Sequence, residues 1–373
     1  MRIGFDVSPL TPARTGVGNY CYYLLKHLLD LPGGHEMLGF ATGRRGLDLG
    51  SLEGRLPVRH WRAPTRAIYA LWNWAGRPRV DAALGGVDVY HATNYYLPPV
   101  RSAKTVVTVH DLAFLVRPEL CSPRITRPFA RGIGRFCRRA GAIMAYSEAT
   151  RRDLVERLGV TAAKVTVAPM AVDEAFAPMS REAAETVLRE RFGVAPPFLL
   201  YVSTLEPRKN VPGLLEAFAR VKDRIPHNLV LVGSVGWNAD PIFETIARLG
   251  LQDRIIRPGF VRHLELPAFY CAASAFVFPT YYEGFGLPLL EALTCGCPVV
   301  TSDNSSVPEV TGGAALYSGA DDHTAIADNI LRVLEDGALR ADLAARGKAH
   351  AAQYAWRDCA ATTLNVYQTL ADP

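Results

Sequence analysis

The chain has 373 residues, of which 49% are hydrophobic and 21% are charged; this composition excludes intrinsic disorder, and the length exceeds what one hydrophobic core commonly supports. The formal net charge is +5, but 24 Lys+Arg and 14 Asp+Glu give +10 for residues 1–180, whereas 17 and 22 give −5 for residues 181–373. We therefore expect two domains, one of which faces an anion.

Export and membrane insertion are not indicated by the sequence. Its first residues, MRIGFDVSPL, alternate as a strand and contain no basic leader or apolar signal core. No apolar run approaches the roughly 20 residues that span a bilayer. The seven cysteines lack the paired spacing of a zinc or redox site. These features predict a cytoplasmic protein with reduced thiols and no bound metal.

The first half alternates short apolar strands with helical segments. Strands are predicted at 2–6, 87–91, 104–110, 142–147 and 164–168. Strands that alternate with helices form βαβ units, in which the strands run parallel. Residues 1–176 are therefore predicted to form a Rossmann-like, doubly wound α/β domain.

A glycine-containing segment, Gly16 to Gly18, lies between the first strand and an apolar helix predicted at 20–31. It resembles part of a dinucleotide-binding fingerprint, but the full G-x-G-x-x-G spacing is missing, so a nicotinamide cofactor is not expected. We interpret Gly16 and Gly18 as parts of a loop that faces a ligand. A plain turn is the alternative.

His110 and Asp111 stand at the carboxyl end of another predicted strand of the first half. Parallel strands deliver the residues at their carboxyl ends to a common cleft. A histidine there can donate a hydrogen bond to a ligand hydroxyl group or orient an acceptor. The alternative is a buried histidine whose ring nitrogens are satisfied within the protein.

Five arginines recur at spacings of three or four residues, which would place them along one face of a helix. They are Arg124, Arg127, Arg131, Arg135 and Arg138. Such a stripe suits an anionic membrane surface or a lipid pyrophosphate. A solvated helix face is the alternative. Nucleic acid is not expected, because no aromatic residues are interleaved for base stacking.

The second half repeats the alternation, with strands predicted at 198–203, 228–233, 254–258, 275–279 and 298–302. A second Rossmann-like domain is therefore expected at 177–354, after a non-periodic segment that contains Pro178. The final residues, 355–373, are expected to form a helix that packs back on the first domain. The cleft between two such domains is the default place for a ligand.

Adjacent cations, Arg208 and Lys209, lie between a predicted strand and a helix predicted at 211–224. Open α/β sheets bind their ligands at the carboxyl ends of the strands. Two cations at that edge can neutralise a diphosphate. The alternative is a solvated basic turn.

The segment YYEGFGLPLLEA at 281–292 follows the strand predicted at 275–279. Pro288 suits the first turn of a helix, so the helix is expected to start near Leu287. Gly284 and Gly286 leave room for a phosphate to approach the backbone N–H groups at the positive end of this helix. The backbone N–H groups expected to donate hydrogen bonds to the phosphate are those of Phe285, Gly286 and Leu287.

Two carboxylates border this predicted anion site. Glu283 precedes the glycines, and Glu291 is expected in the first turn of the helix. Carboxylates accept hydrogen bonds from ligand hydroxyl groups. The alternatives are a solvated turn residue for Glu283 and a residue that complements the helix dipole for Glu291.

Taken in order, these motifs resemble the retaining GT-B glycosyltransferases of family 4, whose mark is a Glu-x7-Glu segment, here Glu283 to Glu291. The resemblance covers nearly the whole chain. It includes Gly16 to Gly18, His110-Asp111, Tyr146 to Glu148, Thr204 to Asn210, Pro258 to Val261 and Ser302 to Val310. It implies two Rossmann-like domains facing across a cleft, with the acceptor side in the first and the nucleotide-sugar site in the second.

The resemblance also implies roles for several of the matched residues. Arg208 and Lys209 would hold the donor diphosphate, Glu283 would bind hydroxyl groups of the transferred sugar, and Glu291 would bind the ribose. His110 would take part in catalysis. Gly16 and Gly18 would face the donor, and the base would contact Gly259, Phe260 and Val261. Ser203 stands near the position where many family members carry an arginine, so this sequence departs from the family pattern there.

The Thr204 to Asn210 segment is similar to that of bacterial mannosyltransferases of surface-polysaccharide and lipopolysaccharide assembly. That similarity implies GDP-mannose as the donor. It also implies a glycan or a lipid-pyrophosphate-linked glycan as the acceptor. The protein would then work in the cytoplasm, at the inner face of the cell membrane.

When the sugar is transferred, negative charge develops on the leaving diphosphate. Cations and oriented backbone amides stabilise that charge. No Asp-x-Asp motif offers a divalent ion, so we expect a metal-independent reaction without a cofactor. We expect retention through attack on the same face of the sugar, with the departing phosphate taking the proton. The alternatives are a nucleotide-sugar epimerase of the same fold and a non-catalytic nucleotide-sugar-binding subunit.

Overall fold

The computed structural model describes residues 1–12, 14, 16–174 and 176–372. Two compact units make up the protein. The first contains residues 1–116, 123–170 and 355–373, and the second contains residues 117–122 and 171–354. The main part of the second unit thus begins at residue 171, whereas the sequence pattern places a boundary after residue 176.

Seven parallel strands form the sheet of the first unit. They are β1 (Arg2–Asp6), β2 (Glu36–Thr42), β3 (Val58–Trp61), β4 (Val89–Ala92), β5 (Lys104–Thr108), β6 (Ala142–Ala145) and β7 (Val165–Val167). Their order across the sheet is β3-β2-β1-β4-β5-β6-β7, so the direction in which the chain adds strands reverses between β1 and β4. The predicted Rossmann-like, doubly wound sheet is confirmed.

The sequence pattern does not predict β2 and β3. Gly39 lies in the middle of β2, and a Cβ atom there would lie 2.9 Å from Cγ2 of Val58 in β3. Glycine therefore allows the two strands to approach, but a glycine inside a strand also interrupts the alternating pattern by which strands are recognised.

Helices connect the strands of the first unit. They are α1 (Gly16–Asp30), α2 (Thr65–Ala75), α3 (Val80–Ala83), α4 (Ala113–Val116), α5 (Pro123–Arg139) and α6 (Glu148–Leu158). Helix α1 buries the stripe Tyr20, Leu24 and Leu28, whose spacing matches one helical face. It begins at Gly16, so the loop predicted at Gly16 to Gly18 is wrong, because these residues form the first turn of the helix.

The sheet of the second unit has six parallel strands in the order β10-β9-β8-β11-β12-β13. They are β8 (Phe198–Val202), β9 (Asn228–Val232), β10 (Ile255–Gly259), β11 (Ala275–Phe278), β12 (Val299–Ser302) and β13 (Ala315–Ser318). The first five were predicted to within a residue or so of their ends, since each is a buried apolar run. The strand order reverses between β8 and β11, which confirms a second Rossmann-like sheet.

The helices of the second unit follow the same alternation. They are α7 (Arg181–Phe192), α8 (Val211–Val221), α9 (Asp240–Arg248), α10 (Leu266–Ala272), α11 (Leu287–Thr294), α12 (Val307–Thr311), α13 (His323–Glu335) and α14 (Gly337–Ala351). Side chains cap several of them: Ser180 accepts from the Ala183 N–H at 3.2 Å, and Asp336 accepts from the Leu339 N–H at 2.9 Å. Such caps satisfy backbone donors that a helix leaves unpaired.

The last helix, α15 (Trp356–Ala371), belongs to the first unit. It packs against α1, β4, β5 and β6. Tyr367 of this helix is buried, and its hydroxyl oxygen lies 2.5 Å from Nδ1 of His91. Within the described residues, every helix falls short of the length and hydropathy that a bilayer span requires.

Candidate functional site

Two neighbouring strands of the second sheet lead to the residues singled out in the sequence. β8 leads to Arg208 and Lys209, and β11 leads to Glu283. These two strands are the pair at which the strand order reverses. Such a reversal opens a crevice at the carboxyl ends of the strands, where open α/β sheets bind their ligands. The basic turn and the strand-to-helix turn therefore lie at one site.

Asn210 fixes the basic turn. Its backbone is left-handed, with φ of 53°, and its side-chain oxygen accepts from the Gly213 N–H at 3.1 Å, which caps α8. Its side-chain nitrogen donates to the carbonyl groups of Pro279, at 2.9 Å, and Ala320, at 2.7 Å. The sequence interpretation included this residue in the Thr204 to Asn210 motif but gave it no role, although an asparagine ahead of a Val-Pro-Gly run is a signal for a helix start.

Lys209 and Glu283 form a buried ion pair. The exposed fraction is 8% for Lys209 and 5% for Glu283. Lys209 Nζ donates to both carboxylate oxygens, at 2.6 and 2.8 Å, and the Thr280 hydroxyl group donates to the same carboxylate at 2.9 Å. Burial alone would raise the pKa of Glu283, but Lys209 and Arg208 hold that pKa below its ordinary value. The carboxylate is therefore ionised at neutral pH.

The Arg208 guanidinium also bonds to this carboxylate and to two neighbouring groups. Its Nη1 donates to the Tyr282 carbonyl at 2.7 Å and to the Glu283 carboxylate at 3.3 Å. Its Nη2 donates to Glu206 Oε1 at 3.1 Å. Glu206 lies two residues before Arg208, but the sequence interpretation gave it no role, because only the fold shows that its carboxylate turns back toward the guanidinium.

The charges of these four side chains balance. The sequence predicts an excess of positive charge from Arg208 and Lys209, but Glu206 and Glu283 are ion-paired with them. A diphosphate would therefore meet a neutral group of side chains. Binding of an anion would therefore depend more on hydrogen bonds donated by the backbone N–H groups at the start of α11.

The turn from Glu283 into α11 is held by two serines that follow β12. The Glu283 N–H donates to Ser305 Oγ at 2.9 Å, and the Ser306 hydroxyl group donates to the Glu283 carbonyl at 3.0 Å. Gly286 has φ of 96°, a left-handed conformation that favours glycine. Helix α11 begins at Leu287, as predicted. That this turn binds a phosphate through Gly284, Phe285, Gly286 and Leu287 stays a prediction.

Glu291 lies deeper than the sequence suggests. It is the fifth residue of α11, so its expected place in the first helical turn is wrong. It is 4% exposed, and the Tyr270 hydroxyl group donates to its Oε2 at 2.8 Å. His263 Nδ1 lies 3.7 Å from Oε1. Burial raises the pKa of Glu291 to about 8.

The residues expected to contact a base lie at the carboxyl end of β10: Gly259 is its last residue, and Phe260 and Val261 follow it. Gly259 has φ of 81°, Phe260 is 70% exposed and Val261 is buried. Ser203 lies against Gly233, where a Cβ atom would come within 1.9 Å of the Ser203 carbonyl oxygen. An exposed aromatic ring beside a turn suits stacking on a planar base, and base contact by Gly259, Phe260 and Val261 stays a prediction.

Gly16 and Gly18 belong to the first unit and differ in their surroundings. Among the described residues, a Cβ atom at Gly16 would meet nothing within 4 Å, whereas one at Gly18 would lie 2.7 Å from the Pro9 carbonyl oxygen. Gly18 therefore serves the packing of α1 against the segment after β1.

His110 follows β5 in the first unit and is 8% exposed. Its Nε2 lies 2.8 Å from the Thr93 carbonyl oxygen, and its Nδ1 is hydrogen-bonded to the Tyr146 hydroxyl group. The carbonyl can only accept, so Nε2 carries the proton and Nδ1 accepts from Tyr146. Burial lowers the pKa of His110 to about 4. This is the satisfied, neutral histidine that the sequence leaves as the alternative; donation to a ligand would require one of these bonds to break.

The arginine stripe lies on α5 as predicted, and all five of its side chains are exposed. Arg135 Nη2 also donates to Asn73 Oδ1 of α2 at 2.8 Å. The stripe therefore borders α2, which exposes 88% of Trp74 and 41% of Leu71. These two apolar side chains were not singled out in the sequence, because α2 does not carry a recognised motif.

Both halves of the chain match known families. Residues 14–176 match Glycosyltransferase Family 4, and residues 187–350 match Glycosyl transferases group 1. O-antigen chain mannosyltransferase B of Escherichia coli is 32% identical over 99% of this chain and 100% of that protein. Serotype-specific mannosyltransferase WbdA of Escherichia coli is 30% identical over 72% of this chain and 34% of that protein.

A solved structure shows the same fold. Anabaena Alr3699/HepE, crystallised in complex with UDP and glucose, superposes with a TM-score of 0.77 over 100% of both chains, at 21% sequence identity. Two Rossmann-like domains over the full length are thus shared with a protein of low sequence identity.

Proposed function

Because this chain belongs to the GT-B glycosyltransferases of family 4, we propose that it transfers mannose from GDP-mannose to a hydroxyl group of a glycan or lipid-pyrophosphate-linked glycan, with retention of the anomeric configuration. The full-length similarity to an O-antigen chain mannosyltransferase supports the choice of sugar. The similarity to WbdA, also named a mannosyltransferase, supports it over a shorter range. A nucleotide ligand is supported by the UDP complex of HepE.

The observation that carries the proposal is the convergence of Arg208, Lys209 and Glu283 at the reversal point of the second sheet. In the proposed complex, Arg208 and Lys209 bind the donor diphosphate, and Glu283 accepts hydrogen bonds from hydroxyl groups of the sugar. Glu291 binds the ribose, and Gly259 to Val261 contact the base. The buried Lys209 is positioned by Glu283, which supplies the fixed geometry that electrostatic catalysis requires.

Bond cleavage leaves an oxocarbenium-like sugar and a charged diphosphate. We assign stabilisation of that charge to the two cations and to the backbone N–H groups at the start of α11, without a metal ion. The acceptor hydroxyl group attacks the face that the diphosphate leaves, and the departing phosphate takes its proton. The anomeric configuration is then retained. Activity in excess EDTA and the anomeric coupling constants of the product, measured by NMR, test the two halves of this mechanism.

The donor is tested by screening nucleotide sugars for protection against thermal unfolding, because a ligand that binds only the folded state stabilises it. We expect GDP-mannose to raise the Tm more than GDP-fucose, UDP-glucose or UDP-N-acetylglucosamine at equal concentration. A larger shift with a UDP-sugar would contradict the proposed donor while leaving the transferase class intact.

The epimerase and binding-only alternatives are separated by one further incubation. The protein is mixed with GDP-mannose alone, and then with GDP-mannose and an acceptor glycan. A transferase forms a new glycoside only in the second mixture. Conversion of the nucleotide sugar to an epimer in the first would establish the epimerase, and donor binding without either product would establish a binding subunit.

We also propose that the protein works in the cytoplasm against the inner face of the cell membrane. Segments 54–80 and 120–147 contain six arginines each and no Asp or Glu. The hydrogen bond from Arg135 to Asn73 joins the helices of these two segments. Two basic segments joined in this way, with an exposed tryptophan, suit the headgroup region of an anionic bilayer, and a lipid-linked acceptor would be found there.

A further inference from the structure

Three thiols lie at one end of the packed helix pair α10 and α11. Cys271 is the next-to-last residue of α10, and Cys295 caps the carboxyl end of α11. Cys297 follows two residues later. Cys271 is half-buried, whereas Cys295 and Cys297 are buried. The sequence interpretation assigned these thiols no role, because Cys271 is far from the other two along the chain and only the fold brings them together.

The Cys271 sulfur accepts hydrogen bonds from two sides. The Met179 N–H donates to it at 3.4 Å, and the Cys295 thiol donates to it as well. Lys348 adds a positive charge beside this pair, since a Cβ atom at Gly296, the residue after Cys295, would lie 2.9 Å from Lys348 Nζ. The Cys295 thiol, the Met179 N–H and the Lys348 ammonium hold the pKa of Cys271 below its ordinary value, although burial raises it.

The pKa values of other thiols are shifted in the opposite direction. The hydrogen bond to Cys271 and burial raise the pKa of Cys295. Burial raises the pKa of four more thiols, those of Cys21, Cys137, Cys297 and Cys359. The thiolate, not the thiol, is the nucleophilic form of cysteine. Cys271, which also has access to solvent, is therefore the thiol of this cluster that attacks an electrophile, and Cys295 is its resolving partner.

We propose that Cys271 and Cys295 are a site of reversible oxidation by a peroxide, which joins the ends of α10 and α11 by a disulfide bond. The Cys271 thiolate attacks an oxygen of hydrogen peroxide and the O–O bond breaks, which leaves a sulfenic acid on Cys271. The departing hydroxide takes the proton that the Cys271 thiol lost and becomes water.

The second step forms the disulfide. The Cys295 sulfur attacks the Cys271 sulfur, the S–O bond breaks, and the departing hydroxide takes the Cys295 proton to give a second water. Two thiols and one hydrogen peroxide thus give one disulfide and two waters, and a dithiol reverses the reaction by thiol–disulfide exchange. In a reducing compartment the resting form is the dithiol.

The two thiols flank the hydrogen bond between Tyr270 and Glu291. Tyr270 immediately precedes Cys271, and the Cys295 N–H donates to the Glu291 carbonyl at 3.1 Å. A disulfide holds its sulfurs about 2.0 Å apart, closer than a hydrogen bond does, so oxidation draws the two helices together at this end. The Tyr270 hydroxyl group, 2.8 Å from Glu291 Oε2 in the reduced protein, then loses its alignment.

Oxidation should therefore weaken binding of the nucleotide sugar. This consequence rests on the proposed function, which assigns the ribose to Glu291. The disulfide itself does not depend on that function, so the two are tested separately.

Peptide mapping tests the disulfide. Cleavage after glutamate places Cys271 in residues 266–283 and both Cys295 and Cys297 in residues 292–309. We expect hydrogen peroxide to join these two peptides in the wild-type protein and in Cys297→Ala, the matched control, and dithiothreitol to separate them. Cys295→Ala should instead accumulate a sulfenic acid that dimedone labels at Cys271. Joined peptides in Cys295→Ala, or separate peptides in the oxidised wild-type protein, would overturn the proposal.

Titration with GDP-mannose tests the consequence. We expect oxidation to raise the dissociation constant at least about tenfold in the wild-type protein, as loss of a hydrogen bond in a binding site does. In Cys271→Ala, peroxide should change it less than twofold. Equal affinity of the two wild-type forms would overturn the effect on Glu291. If neither form binds GDP-mannose or another nucleotide sugar, the proposed function is wrong, and the peptide map still confirms or overturns the disulfide.

Discussion

Lys209 and Glu283, 74 residues apart in the sequence, form an ion pair of 2.6 and 2.8 Å that is buried at the carboxyl edge of the second sheet. A buried charge that loses its partner is costly, since desolvation of the remaining ion is no longer compensated. The pair therefore serves both stability and the proposed donor site. The two contributions have to be separated before a loss of activity can be attributed to catalysis.

Lys209→Ala should be destabilising as well as inactive, because it leaves the Glu283 carboxylate buried without its main partner. We expect a loss of about 3–5 kcal/mol in the free energy of unfolding and at least about a hundredfold loss of turnover. In Lys209→Met/Glu283→Gln, both charges are absent, so stability should largely return while activity does not. Urea unfolding and initial rates at saturating donor measure the two effects. Recovery of activity in the double variant would contradict the proposed role.

Asn210→Ala should lower stability through three lost hydrogen bonds, to the Gly213 N–H and to the carbonyl groups of Pro279 and Ala320. At about 1 kcal/mol for each bond, we expect a loss of about 3 kcal/mol in the free energy of unfolding. Asn329→Ala is the control, since its side chain makes a single hydrogen bond of this kind, to the Tyr317 carbonyl. Equal losses in the two variants would show that Asn210 does not fix the basic turn.

Glu291→Gln should remove a pH dependence of stability. Unfolded Glu291 loses its proton near its ordinary pKa of 4.5, whereas burial raises the pKa in the folded protein to about 8. The stabilisation from the retained proton is therefore complete below pH 4.5 and is lost as the pH rises through 8. The stability of Glu291→Gln relative to wild type should increase between pH 5 and pH 8, by up to about 1.4 kcal/mol per pH unit. A constant difference over this range would mean that Glu291 is ionised throughout.

Gly16→Ala and Gly18→Ala should have different effects. A Cβ atom at Gly18 would press on the Pro9 carbonyl oxygen, 2.7 Å away, so we expect a loss of about 1–3 kcal/mol. A Cβ atom at Gly16 meets none of the described residues within 4 Å, so stability should change little. If Gly16 faces the donor, Gly16→Ala should instead weaken GDP-mannose binding in a thermal-shift titration. Wild-type binding in a stable Gly16→Ala protein would remove Gly16 from the donor site.

Trp74→Ser and Arg124→Gln/Arg131→Gln should weaken binding to vesicles that contain anionic lipid. Each arginine near such a surface contributes about 1 kcal/mol, so we expect about 25-fold weaker binding for the double arginine variant in a sedimentation assay. The controls are two variants of the second unit. Val235→Ser, at a residue that is 55% exposed, is the control for Trp74→Ser, and Arg220→Gln is the control for the arginine variant. Vesicles of phosphatidylcholine alone should bind the wild-type protein weakly. Unchanged binding of the variants to anionic vesicles would exclude this surface.

Local patterns in the sequence determined the two parallel sheets and the place of the main motifs. A buried parallel strand is a continuous apolar run, and a helix start is marked by proline and glycine, so β8 to β12 and the start of α11 at Leu287 could be predicted from a few adjacent residues. β2 and β3 could not, because β2 carries Gly39 at a point of close strand contact that no local pattern reveals.

The partners and the burial of the functional side chains were decided by the tertiary structure alone. Glu283 pairs with Arg208 and Lys209, Glu291 lies against Tyr270, and both ring nitrogens of His110 are engaged, because segments distant in sequence became neighbours. Glu206 pairs with Arg208 because the turn between them brings the two side chains together. Charge state depends on desolvation and on every nearby dipole, which are properties of the packed interior. Residue types and spacing therefore predicted a candidate site, whereas the protonation and pairing of its side chains followed only from the fold.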